Sequence, residues 1–523
     1  MRRHGLFLAV FVLIAAARFV ILLTSQTHVH SDEAIIGLMG KHILEGRYFP
    51  FYMYGQPYNA GAAWEAYLAA CGFAAFGVNV ISLKACVLLL SLLCLFLFYR
   101  MSLALYDKRT ALLATVAFAF APTLLKWHFQ VRGYSWYFVS IPVLTILFAS
   151  VGSARTRKQT LVFIFGLVSG VSIWCLELAI PFVGALWMLL ILRRRISLGN
   201  AASGVIGFTL GYAPVIAFNC AHHFSNWRYL VFQRPGGGFS SLFHVSAVRR
   251  ILSDEMPKFF GPDTVLWYYP DTPASGYVFY AVAVWAVLLA MWPFAKSPSK
   301  IMRALRDDLP NHAQTRDFDA LVLTAASFVP YLTQPVGVPS YFFGGCFFLS
   351  VLTGRMLERC FSSSMPILRL GGSTVVAVIL ITGGLVMIRV GQENRIETLS
   401  LCEDGRNYCM TRIPGADMEA VEQCLRQRSA TSVWTTISFV YPLLFESGET
   451  LAVSNAIFDY PHRVYPQQIH WREPSLDRDA AFVIETNSPF RSPLEMRWGQ
   501  AFGTAPLVRQ VGKLTVIAAP IAD

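Results

Sequence analysis

Long apolar runs separated by short basic stretches make up the first three quarters of the chain. The runs lie at 5–24, 79–100, 110–124, 134–151, 161–192, 201–220, 276–295, 319–334, 340–358 and 370–390. A helix of about 20 apolar residues crosses the hydrocarbon core of a bilayer. The pattern therefore predicts a polytopic α-helical membrane protein.

The run at 161–192 is too long for one crossing. As a single helix it would extend about 48 Å, against roughly 30 Å of hydrocarbon. Both of its ends are basic, with Lys158 before it and 193–195 after it, so both ends should lie on one side. We predict two passes with a turn near Glu177 and Pro181, which brings the expected number of transmembrane helices to about eleven.

Charge sets the expected orientation. Only 14% of residues are charged, the mean hydropathy is +0.49, and the net charge is +12. The cations cluster between apolar runs, which is the positive-inside pattern and not a nucleic-acid-binding surface. The N-terminus is predicted to be cytoplasmic, behind a first span that resembles an uncleaved signal anchor, although Ala15, Ala16 and Ala17 leave cleavage open. The outer loops are then 25–78 and 221–275, with the apolar stretch 60–77 partly embedded outside.

The composition becomes that of a globular protein after about residue 391. Strand-like runs at 431–436, 449–455, 480–486 and 513–519 alternate with helical patterns at 415–428, 438–447 and 493–502. Alternating strands and helices predict a small α/β domain. We therefore divide the chain into a transmembrane domain, 1–390, and a soluble extracytoplasmic domain, 391–523. In a periplasmic domain a Cys402–Cys409 disulfide is plausible, and free thiols remain an alternative because Cys424 makes the number odd.

Two carboxylates, Asp32 and Glu33, follow directly after the first predicted span. Charges beside a membrane helix are costly unless they are paired or used. The apolar spacing from Glu33 to Glu45, ended by Gly46, predicts an amphipathic helix whose N-cap is Asp32. Capping and a functional role as a fixed base are both open for Asp32.

The same outer loop contains a segment rich in aromatic hydroxyls, amides and glycine. Gln56 and Tyr58 lie in it, and Glu65 follows in an apolar stretch. Tyrosines here fit an interfacial aromatic belt, whereas the amides favour a binding loop. Glu65 is again costly unless it has a partner.

The second outer loop places cations between aromatic residues. Lys126, His128 and Arg132 fit the binding of an anionic headgroup, because Lys and Arg neutralise phosphate and His adds a hydrogen bond. The alternative is that Lys126 is a snorkelling anchor at a helix end. Arg132 is the stronger candidate, because Gly133 and Tyr134 beside it indicate a turn.

Together these features resemble the GT-C superfamily of polytopic glycosyltransferases, and most closely its protein O-mannosyltransferase-like bacterial members. The matching pieces are Asp32-Glu33, Tyr54-Gly-Gln-Pro-Tyr58 leading to Glu65, Arg132-Gly-Tyr134, the segment 441–449 (YPLLFESGE), and Arg463-Val-Tyr465-Pro466. The chain departs from the pattern at 339–342 (PSYF), where family members often carry an arginine before the tyrosine. Tyr341 is left as the candidate there.

The resemblance implies an inverting glycosyltransferase that takes a sugar from a polyprenyl-phosphate donor and passes it to an extracytoplasmic acceptor, a protein or an envelope glycan or lipid. Asp32 would be the general base that such a reaction needs. Lys126 and Arg132, supported by His128, would stabilise the phosphate. Glu33 and Glu65 would orient hydroxyl groups, and substrate contacts would come from Gln56, Tyr58 and Tyr341.

A nucleotide-sugar donor is disfavoured, because the chain has no glycine-rich phosphate loop and no cytoplasmic domain large enough to bind a nucleotide. No cofactor is expected. A metal site from His28, His30 and Asp32 is conceivable by spacing, but such loop clusters are more often solvated, and we predict no metal. The predicted place is the bacterial inner membrane. The competing class is a transporter or flippase of a lipid-linked sugar, which would use the same cations and aromatics without a base. It would be expected to show internal repeats, which this sequence does not have.

Overall fold

The protein is a bundle of long helices with a small sheet at one end. The computed structural model describes residues 4–25, 27–153, 158–233, 249, 251–260, 274–306, 312–332, 339–392, 395–401, 408–455 and 474–520. Within these residues the chain is mostly helical up to Gln392, and strands appear only from Arg395 onward.

The helices before the sheet are α1 (Gly5–Ser25), α2 (Ser31–Leu44), α3 (Ala60–Phe76), α4 (Val80–Leu105), α5 (Lys108–Ala119), α6 (Pro122–Trp127), α7 (Ser135–Ser153), α8 (Lys158–Cys175), α9 (Ala179–Leu192), α10 (Leu198–Ala221), α11 (Ser225–Arg228), α12 (Met256–Phe259), α13 (Ala274–Ala295), α14 (Ser299–Arg306), α15 (His312–Leu332), α16 (Phe343–Ser362) and α17 (Pro366–Gln392). Two π-helical turns, Tyr229–Gln233 and Ile251–Glu255, and a 3₁₀ turn, Pro339–Phe342, complete this part.

Seven helices of the described part are long and apolar enough to cross a membrane: α1, α4, α7, α8, α10, α13 and α17. The protein is therefore a multi-pass membrane protein. The break between α8 and α9 at 176–178 confirms the predicted split near Glu177. Helix α9 is apolar but shorter. The other predicted spans correspond to α5 with α6, α15 and α16, which are shorter or more polar, so the count of eleven stays a prediction.

The ends of four helices meet in a cluster of ion pairs. Arg193 at the end of α9 pairs with Asp319 of α15, and its Nη1 lies 3.1 Å from Oδ2. Tyr106 at the end of α4 donates to Asp317 over 2.8 Å, and Arg359 of α16 pairs with the same carboxylate. We call this end of the bundle the basic side. The predicted cytoplasmic ends of these helices therefore lie together on the basic side. That the basic side faces the cytoplasm stays a prediction.

The sheet lies in the C-terminal part, with the helices α18 (Gly415–Gln427), α19 (Ile437–Glu446) and α20 (Arg491–Phe502) around it. Its strands are β3 (Ser432–Thr435), β4 (Ala452–Asn455), β5 (Ala480–Glu485), β6 (Leu507–Val511) and β7 (Leu514–Ala518), in the order β4-β3-β5-β7-β6. Strands β3, β4 and β5 are parallel, and β7 is antiparallel to β5 and β6. A separate hairpin joins β1 (Arg395–Leu401) to β2 (Tyr408–Pro414).

The four predicted strands and three predicted helices of this part are confirmed within a few residues. The sequence reading missed β1, β2 and β6. The residues of β6 are exposed or half-buried, so this strand lacks the short apolar run that identified the others. The boundary at 390/391 stays a prediction, and Cys402 lies outside the described residues.

The C-terminal part packs on the first loop of the membrane part through α19. One hydrophobic core contains residues of α2 and α3 together with residues of α18, α19 and the sheet. Gly37 permits the close approach, since a Cβ there would lie 2.6 Å from the ring of Phe445. We call this end of the bundle, which carries α2, α3 and the sheet, the tail side.

Candidate active site

Helix α2 begins with a reciprocal cap that does not use Asp32. The N-cap is His30, and the carboxylate of Glu33, three residues on, accepts the His30 backbone N–H over 2.9 Å. This is the back-bond of a capping box. The prediction that Asp32 caps the helix is therefore wrong, because Glu33 at the third position reaches back to the cap. Asp32 is the second residue of α2, and its side chain is half-buried.

Glu33 is fully buried, and its contacts are with protein. Its Oε1 accepts the backbone N–H of Val131 over 3.0 Å, and its Oε2 lies 3.5 Å from Lys84 Nζ. Burial raises the pKa of the Glu33 carboxyl, but the Lys84 cation and the backbone N–H groups outweigh burial and leave that pKa below its usual value. Glu33 is therefore held as a carboxylate that ties α2 to the loop before α7.

Glu65 binds the same loop from α3. Its side chain is 1% exposed, and its two oxygens accept the backbone N–H groups of Gly133 at 2.7 Å and Ser135 at 3.0 Å. Burial raises the pKa of Glu65 to about 7, and the backbone hydrogen bonds offset only part of that rise. The carboxyl group is thus a two-point clamp on the turn that leads into α7.

The segment 131–135, which we call the arginine loop, is fixed by several elements at once. Asn59 Nδ2 donates to the carbonyl of Arg132 over 3.4 Å. Gly61 lies so close that a Cβ there would be 2.0 Å from the Gly133 carbonyl oxygen. The described hydrogen bonds of Glu33 and Glu65 thus hold this loop, and their predicted contacts with substrate hydroxyl groups stay a prediction.

Arg132 is the side chain that this scaffold presents. It is half-buried, and its guanidinium carbon lies 5.5 Å from the ring centre of Trp127. Its Nε is buried and has no hydrogen-bond partner among the described residues. A buried donor without a partner costs free energy that an anionic ligand would recover. The geometry suits a planar cation that meets a phosphate.

An apolar groove of about 670 Å³ lies between α13, α15 and α16. Along α13 its lining runs from Tyr280 to Ala295, about 22 Å at 1.5 Å per residue. Val284, Phe318 and Phe342 are among the lining residues. A groove of this length and composition fits a hydrocarbon chain lying along the membrane normal.

Aromatic rings connect the tail-side end of the groove to Arg132. Phe342 lines the groove, and the next residue, Phe343, packs edge to face on Trp127 with ring centres 4.7 Å apart. Trp127 in turn lies under the Arg132 guanidinium. A lipid whose chain occupies the groove would therefore carry its headgroup toward Arg132.

Solved structures with the same fold are found by comparison. ArnT from Cupriavidus metallidurans, bound to undecaprenyl phosphate, matches with a TM-score of 0.59 at 13% identity, over 99% of this chain and 100% of that one. Its apo state gives a TM-score of 0.58. The archaeal oligosaccharyltransferase AglB from Archaeoglobus fulgidus, in complex with an inhibitory peptide and a dolichol-phosphate, matches with 0.51 at 11% identity. This chain has the GT-C fold.

The likeness to AglB covers 87% of this chain but 65% of the AglB chain. No protein-family model and no curated protein matches the sequence. The predicted resemblance to the GT-C superfamily is therefore confirmed at the level of the fold. The narrower likeness to protein O-mannosyltransferases stays a prediction.

Within this GT-C fold the other predicted phosphate-binding residues fall in different surroundings. His128 is 1% exposed, both ring nitrogens are buried without a described hydrogen-bond partner, and the ring lies among Phe118 and Phe138. Burial holds the pKa of His128 well below its usual value, so the ring is neutral. This placement does not favour a contact with phosphate. Lys126 lies in α6, and its side chain is outside the described part.

The predicted substrate-contacting residues also lie in different surroundings. Tyr58 stacks on Tyr229 with ring centres 4.6 Å apart, and Gln56 is half-buried in a turn in which its N–H donates to the Met53 carbonyl. Tyr341 is half-buried directly before Phe342, at the tail-side end of the groove. Of the three, Tyr341 has the position that fits the predicted role.

Lys84 is the site residue that the sequence reading missed. It is buried near the start of α4, beside Glu33. A lysine inside an apolar run, one turn from the run's predicted outer end, was the available signal.

No group of three His, Cys, Asp or Glu side chains within the described residues is arranged to hold a metal ion. His28 instead faces carboxylates of the C-terminal part, with Nδ1 3.6 Å from Glu446 and Nε2 3.5 Å from Glu419. The motif at 463–466 lies outside the described residues.

Proposed function

We propose that this protein is an inverting glycosyltransferase that moves a sugar from a polyprenyl-phosphate donor to an acceptor on the tail side. The observation that carries the proposal is the continuity of the site. An apolar groove ends in aromatic rings beneath Arg132, and the arginine loop is bonded through Glu33 to the helix that carries Asp32.

The comparisons support this class of donor. ArnT was solved with undecaprenyl phosphate and AglB with a dolichol-phosphate, both of them lipids with a long chain and a phosphate headgroup. The groove and Arg132 of this chain offer one feature for each part of such a lipid.

The proposed step uses the acceptor hydroxyl group, the Asp32 carboxylate and the Arg132 guanidinium. An acceptor hydroxyl oxygen attacks the anomeric carbon of the donor while the Asp32 carboxylate takes the hydroxyl proton. The bond from the anomeric carbon to the phosphate oxygen breaks, and its electron pair stays on the lipid phosphate. Arg132 stabilises that charge. Attack from the face opposite the phosphate inverts the anomeric centre.

The finer assignments belong to the same proposal. We place the protein in the bacterial inner membrane, with the basic side in the cytoplasm and the C-terminal domain, 391–523, in the periplasm. The transferred sugar is a hexose or a pentose, and the acceptor is a protein or an envelope glycan or lipid. No observation specifically favours the flippase alternative, which leaves Asp32 without a task.

Mass spectrometry of envelope glycans tests the function without knowledge of the sugar. We expect a strain without this gene to lose one sugar increment from one class of glycan, and a plasmid copy of the gene to restore it. An increment that persists on a lipid-linked precursor but disappears from the final acceptor indicates transfer. Accumulation of the complete precursor on the cytoplasmic face, with transfer intact in permeabilised cells, would instead indicate a flippase.

The lipid site makes a separate prediction. Val284→Trp fills the groove, and Arg132→Met removes the proposed phosphate contact. We expect each variant to weaken binding of undecaprenyl phosphate to the purified protein by about tenfold or more. Arg132→Met loses a charge-assisted hydrogen bond, which contributes about 1.5–3 kcal/mol, and Val284→Trp leaves no room for the hydrocarbon chain. With undecaprenol, which has no phosphate, only Val284→Trp should lose affinity.

The chain offers a matched control on the same helix. Val278 is 39% exposed and Val284 is 37% exposed, but only Val284 lines the groove. Val278→Trp should therefore bind both lipids as the wild type does. Equal losses in the two tryptophan variants would remove the groove as the lipid site.

A further inference from the structure

The C-terminal domain holds the far end of α2 through the Glu449 carboxylate and the Gly448 carbonyl. Glu449 Oε2 lies 2.5 Å from Lys41 Nζ, and Glu449 Oε1 lies 3.0 Å from His42 Nε2. Lys41 also donates to the Gly448 carbonyl over 2.9 Å. Both partners of Glu449 are in the last turn of α2, where cations are also stabilised by the helix dipole.

The His42 side of this contact is buried, whereas Lys41 and Glu449 are half-buried. His42 is fully buried, and its other ring nitrogen is 3.0 Å from the hydroxyl of Tyr54 in the first loop. Burial raises the pKa of the Glu449 carboxyl, but hydrogen bonds from His42 and Lys41 outweigh burial and lower that pKa to about 2. Glu449 also has a positive φ of 65°, a conformation that a non-glycine residue keeps only when its surroundings impose it.

The opposite end of the same helix belongs to the candidate active site. From Lys41 back to Glu33 is about 12 Å of α-helix, which transmits position as a rigid element. Glu33 bonds the backbone of Val131, next to Arg132. Helix α2 thus joins the Glu449 contact to both Asp32 and the arginine loop.

We propose that Glu449 is a positioning residue, through which the C-terminal domain fixes α2 and so aligns Asp32 with Arg132. The inference rests on the proposed function for the role of those two residues. It assigns the segment 441–449 a task in catalysis that does not require contact with a substrate.

Hydrogen exchange measured on the whole protein tests the mechanical part. Glu449→Gln should speed amide exchange in peptides from 31–44 and 128–135 by about fivefold or more, because losing a clamp lowers the local opening free energy. The matched control is Glu45→Gln. Glu45 also pairs with Lys41, at 3.7 Å, but it is the C-cap residue of α2 and does not belong to the C-terminal domain. Glu45→Gln should leave the amide exchange rate of peptides from 128–135 within about twofold of the wild-type rate.

Faster exchange confined to 437–451 and 41–45 would overturn the proposal, because it would show a local contact only. If Glu449→Gln does not fold, Lys41→Gln removes the same bond from the other side and should give the same pattern. In a transfer assay Glu449→Gln and Lys41→Gln should each lower kcat by about fivefold and leave KM for the lipid donor within about twofold of the wild-type value. If the wild type shows no transfer, the proposed function fails, and the exchange result still decides the positioning role.

Discussion

Replacing Asp32 by Asn should abolish sugar transfer while the protein still folds and binds lipid phosphate. A positioned general base contributes about 10²–10⁴-fold to a rate, so we expect a loss of at least about 100-fold. The amide has nearly the same shape as the carboxylate but cannot take the acceptor proton. The measurement is transfer from a polyprenyl-phosphate sugar, with envelope glycans or extracts of the deletion strain as acceptor.

Ser31→Ala is the control for this experiment. Ser31 is the first residue of α2, so the change alters the same helix turn without removing a carboxylate. It should transfer sugar at nearly the wild-type rate. If Asp32→Asn keeps more than about a tenth of the wild-type activity, the base is another group. If it instead loses binding of undecaprenyl phosphate, Asp32 has a structural task.

The fold could be predicted from the sequence where its cause is local. The split between α8 and α9 at Glu177 followed from helix length and from the basic residues at both ends. Strands β3, β4, β5 and β7 followed from short apolar runs bounded by turn residues. These signals need no knowledge of what packs against them.

The interface between the two parts of the chain could not be predicted in this way. Glu449 and Lys41 are about 400 residues apart in sequence, and nothing near either residue indicates the other. The resemblance singled out 441–449 as a motif, but the motif alone did not say what it binds. Its phenylalanine, Phe445, packs where Gly37 leaves room on α2.

For the candidate site, the sequence identified the costly charges but not their partners. The cost of charges beside a membrane predicts that Glu33 and Glu65 have partners, and the resemblance implies that these partners include substrate hydroxyl groups. Both carboxylates are satisfied, but by the backbone N–H groups of the arginine loop and by Lys84. Backbone donors have no sequence signature, so only the structure separates these two residues from Asp32.

The pair of Glu33 and Lys84 should therefore be important for stability. Both side chains are buried, and Glu33 also accepts two backbone N–H groups. Removing one member of a buried pair costs about 3–5 kcal/mol. We expect Glu33→Ala to lower the free energy of unfolding by about that amount, measured in mild detergent by titration with a denaturing detergent.

A double-mutant cycle separates the ion pair from the cap. Lys84→Met combined with Glu33→Ala should cost less than the sum of the two single changes, by about 1–3 kcal/mol, since contacting residues couple. The pair of Arg491 and Glu495, which is only half-buried at the surface, provides the contrast, and Glu495→Ala should cost about 1 kcal/mol or less. Strict additivity at Glu33 and Lys84 would mean that the backbone bonds, and not the lysine, keep Glu33 in place.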